Sequence, residues 1–215
     1  MDWEEIKAYL QTREDRPSRD FPILPCQQKI ILRFNHTPKP ITYDDLMRKN
    51  FEDKIKEMSL NGRLSEYKML HFATHGVVVP DLPELSAVVL SQFEQKADGE
   101  DGYLRMGEIA ELKLTADFVN LSACETGLGE IYAGEGVVGL TQAFLIAGAN
   151  SISVSLWPIN DEATSEFMVS VYSKIEDGED YSDAISDTKR EFILGEYGEE
   201  YKKPYYWAPF VYYGK

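Results

Sequence analysis

The stretch Tyr67-Lys68-Met69-Leu70-His71-Phe72-Ala73, closed by Thr74-His75-Gly76, decides the fold. Its near-continuous apolar character, ended by a glycine, is that of a strand covered on both faces. A second stretch of the same kind, Asp117-Phe118-Val119-Asn120-Leu121-Ser122, runs into Ala123-Cys124. Strands are also expected at Lys29–Phe34, Ala87–Leu90, Ser151–Leu156 and Pro209–Tyr213. Between them lie helical patterns. Residues 43–60 place Leu46, Met47, Phe51, Ile55 and Met58 at helical spacing. Met106–Leu112, Val137–Ala147, Asp161–Lys174 and Tyr181–Leu194 are the other expected helices, with Asp161 as the expected N-cap of its own. Strands alternating with helices imply an α/β fold with a mostly parallel central sheet. Residues 1–20 read as a polar N-terminal extension and 21–215 as one domain, without repeats or low-complexity segments.

Composition excludes several function classes. The chain has 215 residues, which suits a single domain with a sizeable core. Hydrophobic residues make up 43% and aromatics 12%, so the chain is globular. A net charge of -15 repels phosphate backbones and argues against direct nucleic-acid binding. Part of that charge is concentrated in residues 176–200, where Glu176, Asp177, Glu179, Asp180 and further acids face only Lys189 and Arg190. The reading is a solvated helix face and loop, with a docking surface for a basic partner as the alternative. Two cysteines, Cys26 and Cys124, do not make a disulfide framework. The acidic opening Met1-Asp2-Trp3-Glu4-Glu5 is unlike a secretory signal, and no apolar run reaches membrane-spanning length. The expected setting is cytoplasmic and reducing, with no membrane partner.

In an open parallel sheet, ligands bind beyond the carboxyl ends of the strands. His75 sits past the end of one expected strand and Cys124 past the end of another. If those strands are neighbours, both side chains face one crevice. A thiolate is a nucleophile, and an adjacent imidazole can polarise it or protonate a leaving amine. The backbone N–H groups of Gly76 and Cys124 are candidates for an oxyanion hole. Gly127, Gly129, Gly134 and Gly136 suggest a mobile loop after the nucleophile. Gly134-Glu135-Gly136-Val137-Val138-Gly139 also spells a dinucleotide fingerprint, but no strand directly precedes it, so no such cofactor is expected. His71 reads as a core histidine, since no third ligand stands near it and His75 to form a metal site. Cys26 reads as packing. Trp157, Trp207, Tyr205 and Tyr206 are read either as a groove lining or as core.

The ordered blocks identify a family. They are Leu70-His71-Phe72-Ala73-Thr74-His75-Gly76, Leu121-Ser122-Ala123-Cys124-Glu125-Thr126-Gly127 and Gly134-Glu135-Gly136-Val137-Val138-Gly139-Leu140-Thr141-Gln142-Ala143-Phe144. Ala147-Gly148-Ala149, Ser155-Leu156-Trp157-Pro158, Asp161-Glu162-Ala163-Thr164 and Pro204-Tyr205-Tyr206-Trp207-Ala208-Pro209-Phe210 follow. Over residues 65–215 the chain closely resembles the CHAT family of the caspase and separase clan. That resemblance implies a caspase-hemoglobinase three-layer sandwich, His75 as general acid/base and Cys124 as nucleophile. It implies metal-free peptide-bond hydrolysis of a partner protein through an acyl-enzyme, in regulated bacterial defence or cell-death pathways. A sensor or regulatory module would act in trans or belong to a longer parent chain. Some clan relatives that prefer a basic P1 residue carry Asp two positions before the nucleophile, where this chain has Ser122. Ser122, Glu125 and Asp161 are therefore the candidate substrate-binding residues, with Asp161 a possible substitute acid. The rival reading is a catalytically silent signalling module that keeps the fold.

Overall fold

Alternating strands and helices organise the residues described by this computed structural model, namely 29–34, 51–79, 82–90, 101–122, 133–157 and 159–214. In chain order they form β1 (Lys29–Phe34), α1 (Phe51–Leu60), β2 (Tyr67–Ala73), β3 (His75–Val77), β4 (Ala87–Val89) and β5 (Tyr103–Arg105). Then come α2 (Met106–Ala110), β6 (Phe118–Leu121), α3 (Ala133–Ile146), β7 (Ser151–Ser155), α4 (Asp161–Glu176), α5 (Tyr181–Leu194), α6 (Pro204–Trp207) and β8 (Phe210–Gly214). The main sheet runs β1-β2-β6-β7-β8, and β3-β4-β5 make a second, smaller sheet. The three central strands β2, β6 and β7 are parallel, as the alternation predicts. The outermost strands β1 and β8 run antiparallel to their neighbours, beside this parallel centre. For β8 the cause is the helix pair α4–α5. Two helices return the chain to the end of the sheet it left, so the next strand must run back.

Each face of the main sheet carries its own core. On one face Leu70, Phe72, Val119, Leu121, Ile152 and Val154 meet Ile55 and Met58 of α1 and Leu140 and Phe144 of α3. On the other, Met69, Phe118 and Phe210 meet Ala163, Phe167, Met168 and Val171 of α4 and Ala184, Ile185 and Phe192 of α5. Helices on both faces make three layers, and they explain why β6 and β7 are buried along their whole length. Aromatic pairs tie the layers together. Phe72 meets Phe144 at 5.2 Å between ring centroids, and Phe167 stacks on Phe210 at 3.9 Å. In residues 176–200 the acids are mostly exposed, which fits the solvated-face reading. Glu191 is an exception: it is held by Lys174, Ser170 and Tyr197.

Two sequence expectations need correction. The helix after the segment that bears Cys124 begins at Ala133, so Gly134 and Gly136 are helical and not part of a loop. Asn160, not Asp161, caps α4: its side-chain oxygen accepts the Ala163 N–H at 3.0 Å. Asp161 becomes the first helical residue. The two residues are both good caps, and the sequence alone does not say which adopts the extended backbone of the cap. Of the expected helix at 43–60, the first part lies outside the described residues, as do residues 1–20 and Cys26.

α3 ends where Gly148 adopts φ +112, and Leu114 N–H donates to Ala147 C=O at 2.8 Å. A Cβ on Gly148 would stand 2.3 Å from the Leu114 carbonyl oxygen. Gly148→Ala is therefore expected to lower the unfolding free energy by about 2 kcal/mol or more, read by urea denaturation. A loss of less than about 0.5 kcal/mol would mean that this turn relaxes freely.

Candidate active site

β2 and β6 are direct neighbours and parallel, with Met69, Leu70, His71 and Phe72 in register against Phe118, Val119, Asn120 and Leu121. Both strands therefore leave the sheet at the same edge. On the β6 side, Ser122 N–H donates to Phe72 C=O at 3.1 Å, extending the ladder one residue beyond the strand. Cys124 and Glu125 follow and lie outside the described residues. On the β2 side, the chain does not simply stop at His75. Thr74 Oγ1 donates to Val89 C=O, and His75 opens β3 in register with Val89.

The hydrogen-bond phase of the small sheet decides what Gly76 offers. Leu90 N–H donates to Gly102 C=O at 2.7 Å, and Met106 N–H to Ser86 C=O at 3.1 Å. Bonding pairs alternate along an antiparallel ladder, so Val88 bonds Leu104 of β5. Ala87 and Val89 then turn their backbone groups toward β3, where they meet Val77 and His75. Gly76 is left with its N–H and C=O facing away from β4.

Beneath the shared edge runs a buried polar chain. His71 is 3% exposed. Its Nε2 lies 2.5 Å from Ser122 Oγ, and its Nδ1 lies 2.8 Å from the Tyr172 hydroxyl on α4. Asn120 Nδ2 donates to Tyr172 at 3.2 Å and approaches Met168 Sδ at 3.1 Å. Burial pushes the His71 imidazole down to about 4, and burial likewise raises the Tyr172 hydroxyl well above its ordinary range. His71 is thus a neutral core group, as the sequence reading has it. What that reading missed are Tyr172 and Asn120. The available signal was Asn120 itself, a polar residue inside a fully buried strand that must find partners.

The remaining candidates divide. Ser122 is half-buried and its hydroxyl is engaged by His71. Trp157 follows β7 at the same edge and donates its indole N–H to Tyr205 C=O at 3.0 Å. Tyr205 is exposed, whereas Tyr206 and Trp207 pack partly against the α4–α5 core. Asp161 opens α4 shortly after β7. Among the described residues no group of three His, Cys, Asp or Glu side chains is placed to hold a metal ion. No helix among them is long and apolar enough to cross a membrane.

Compared with known proteins, the chain matches the CHAT domain over residues 25–215. It is also similar to human Tetratricopeptide repeat protein 28, 26% identical over 177 residues, or 69% of this chain. The mouse protein of the same name is 30% identical over 108 residues, or 50% of this chain. The matches span only 7% and 4% of those much longer relatives.

A pH test follows from the buried imidazole. Between pH about 6.5 and about 4 the unfolded chain protonates His71 and the folded chain does not. The unfolded state binds more protons there, so stability falls as pH falls through that window. Denaturation midpoints from pH 7 to 4 are expected to show wild type losing about 3 kcal/mol more than His71→Gln. Parallel losses in the two proteins would show that His71 does not titrate as a buried neutral group.

Proposed function

The chain belongs to the CHAT domain family, and from that premise we propose that it is a caspase-like cysteine endopeptidase with Cys124 as nucleophile and His75 as general acid/base. The observation that carries this reading is the parallel register of β2 with β6, which brings the two chain exits to one edge of the sheet. In the proposed reaction the Cys124 thiolate attacks the carbonyl carbon of the scissile peptide bond. His75 gives its proton to the leaving amine nitrogen, the C–N bond breaks, and a thioester remains. Water then adds to the thioester carbonyl while His75 takes its proton, and the S–C bond breaks to release the thiolate and the carboxylic acid, which gives its remaining proton to solvent.

The oxyanion of each tetrahedral intermediate needs donors that are not used elsewhere. Gly76 suits this role because its N–H faces away from β4, and the Cys124 N–H is the proposed second donor. For substrate binding, Ser122 is a poor choice, since its hydroxyl already serves His71. Glu125 and Asp161 remain the proposed specificity residues. Asp161 gains from the structure, because Asn160 has taken over the capping role. The proposed substrate is a partner protein, in the regulated defence or cell-death setting that the family resemblance implies. The regulator would act in trans or from a longer chain.

A second reading has an observation of its own. The relatives are named for tetratricopeptide repeats and not for hydrolysis. In that reading the domain binds a partner protein without cutting it.

Incubation with candidate partner proteins, compared with Cys124→Ala and His75→Ala, separates the two. The protease reading expects no cleavage by Cys124→Ala and a fall of about a hundredfold or more for His75→Ala. Partners that are retained but cut by neither wild type nor variant would support the silent module. Cleavage that survives Cys124→Ala would rule out the proposed nucleophile.

A further inference from the structure

A histidine in the buried run Met69–Phe72 of β2 calls for an explanation. An apolar residue would fill the same space without desolvating two ring nitrogens. An unpaired buried donor or acceptor costs on its own account, so burial of an imidazole demands partners at both nitrogens. His71 has them, and their arrangement is directional. The amide nitrogen of Asn120 can only donate, so the Tyr172 oxygen accepts from it and turns its own proton to His71 Nδ1. The carbonyl of Phe72 can only accept, and Ser122 Oγ lies 3.5 Å from it. The Nε2–H tautomer is the one that makes all these bonds together. The chain then runs Asn120 to Tyr172 to His71 to Ser122, each group donating to the next.

The far end of this chain matters most. Ser122 stands two residues before Cys124 and is tied to β2 by its N–H, through Phe72, and by its hydroxyl, through His71. β2 is also the strand that leads into His75. One strand thus leads into the proposed base and clamps the residue from which the segment of the proposed nucleophile departs. We propose that His71 is a positioning residue for the proposed dyad, acting through Ser122 to fix the departure of the segment that bears Cys124. This inference rests on the protease reading of the same edge. It gives the position two before the nucleophile a mechanical role in place of substrate recognition.

The test uses iodoacetamide on the full chain, with alkylation at Cys124 and Cys26 resolved by mass spectrometry. The reference is the effect of His75→Ala on the Cys124 rate. In wild type His75→Ala is expected to slow alkylation about tenfold or more, because the imidazole supports the thiolate. In a Ser122→Ala background the rate is expected to start about tenfold lower and to lose most of its dependence on His75. Ser122→Thr, which keeps the hydroxyl, should restore both. A purely structural loss would lower the melting temperature without removing the coupling to His75. His71→Gln and His71→Leu give a second route should Ser122→Ala fold poorly. Gln can still present an N–H to Ser122 and is expected to retain the coupling, while Leu is expected to lose it. Two results overturn different claims. If Ser122→Ala and His71→Leu keep wild-type rates and full His75 dependence, the positioning role is wrong and the dyad stands. If His75→Ala changes nothing in wild type, the dyad itself is wrong.

Discussion

Hydrogen bonds between β2 and β6, with Met69 to Phe72 in register against Phe118 to Leu121, set two chain exits side by side. Parallel strands have no short connection, so the chain between them must cross over and return. Here that crossover contains the small β3-β4-β5 sheet and α2, and its first strand begins with His75. The same geometry recurs from β6 to β7, which brings Trp157 and the start of α4 to the same edge. Because central strands are covered by helices on both faces, this edge is where they can meet a ligand.

The layer beneath that edge is not uniformly apolar. His71 and Asn120 lie side by side on β2 and β6, by register, while Ser153, next to Asn120 on β7, keeps a buried hydroxyl without a hydrogen-bond partner and stands outside the chain of bonds. Tyr172 of α4 sits over His71 at 5.7 Å between ring centroids and closes the chain of bonds. A partly satisfied buried network is worse than an apolar core, while a satisfied one specifies a single arrangement. In this fold that arrangement joins β2, the residue two before Cys124 and the C-terminal part of α4. The α4–α5 layer is thereby tied to that edge through Tyr172 as well as through the start of α4.

The sequence made the central strands and long helices legible, because each carries a strong period. Tyr181–Leu194 shows it best: Ala184, Ile185, Thr188 and Phe192 form one buried stripe, and both helix ends agree with the pattern. Less was legible where local preference is shared between neighbours. Asn160 and Asp161 are both good caps, and only the backbone geometry separates them. Gly134 and Gly136 have weak helix propensity, yet they lie inside α3, whose later turns pack on the sheet. Antiparallel edges are invisible to alternation, since a strand's own pattern does not record its partner's direction. The proposed pair, His75 and Cys124, is legible only as residue types expected at strand exits. The link from Ser122 through His71 to Tyr172 is not, because it joins residues whose separation in sequence carries no periodic signal.

Everything proposed for this domain depends on His75 and Cys124 facing each other across the shared edge. A crystal structure of the chain after covalent modification of Cys124 by a peptidyl chloromethyl ketone would measure that relation directly. The expected result is an imidazole nitrogen of His75 within about 4 Å of Cys124 Sγ, and Gly76 N–H directed at the oxygen of the adduct. An ordered His75 turned away from the adduct, too far for even one bridging water, would contradict it.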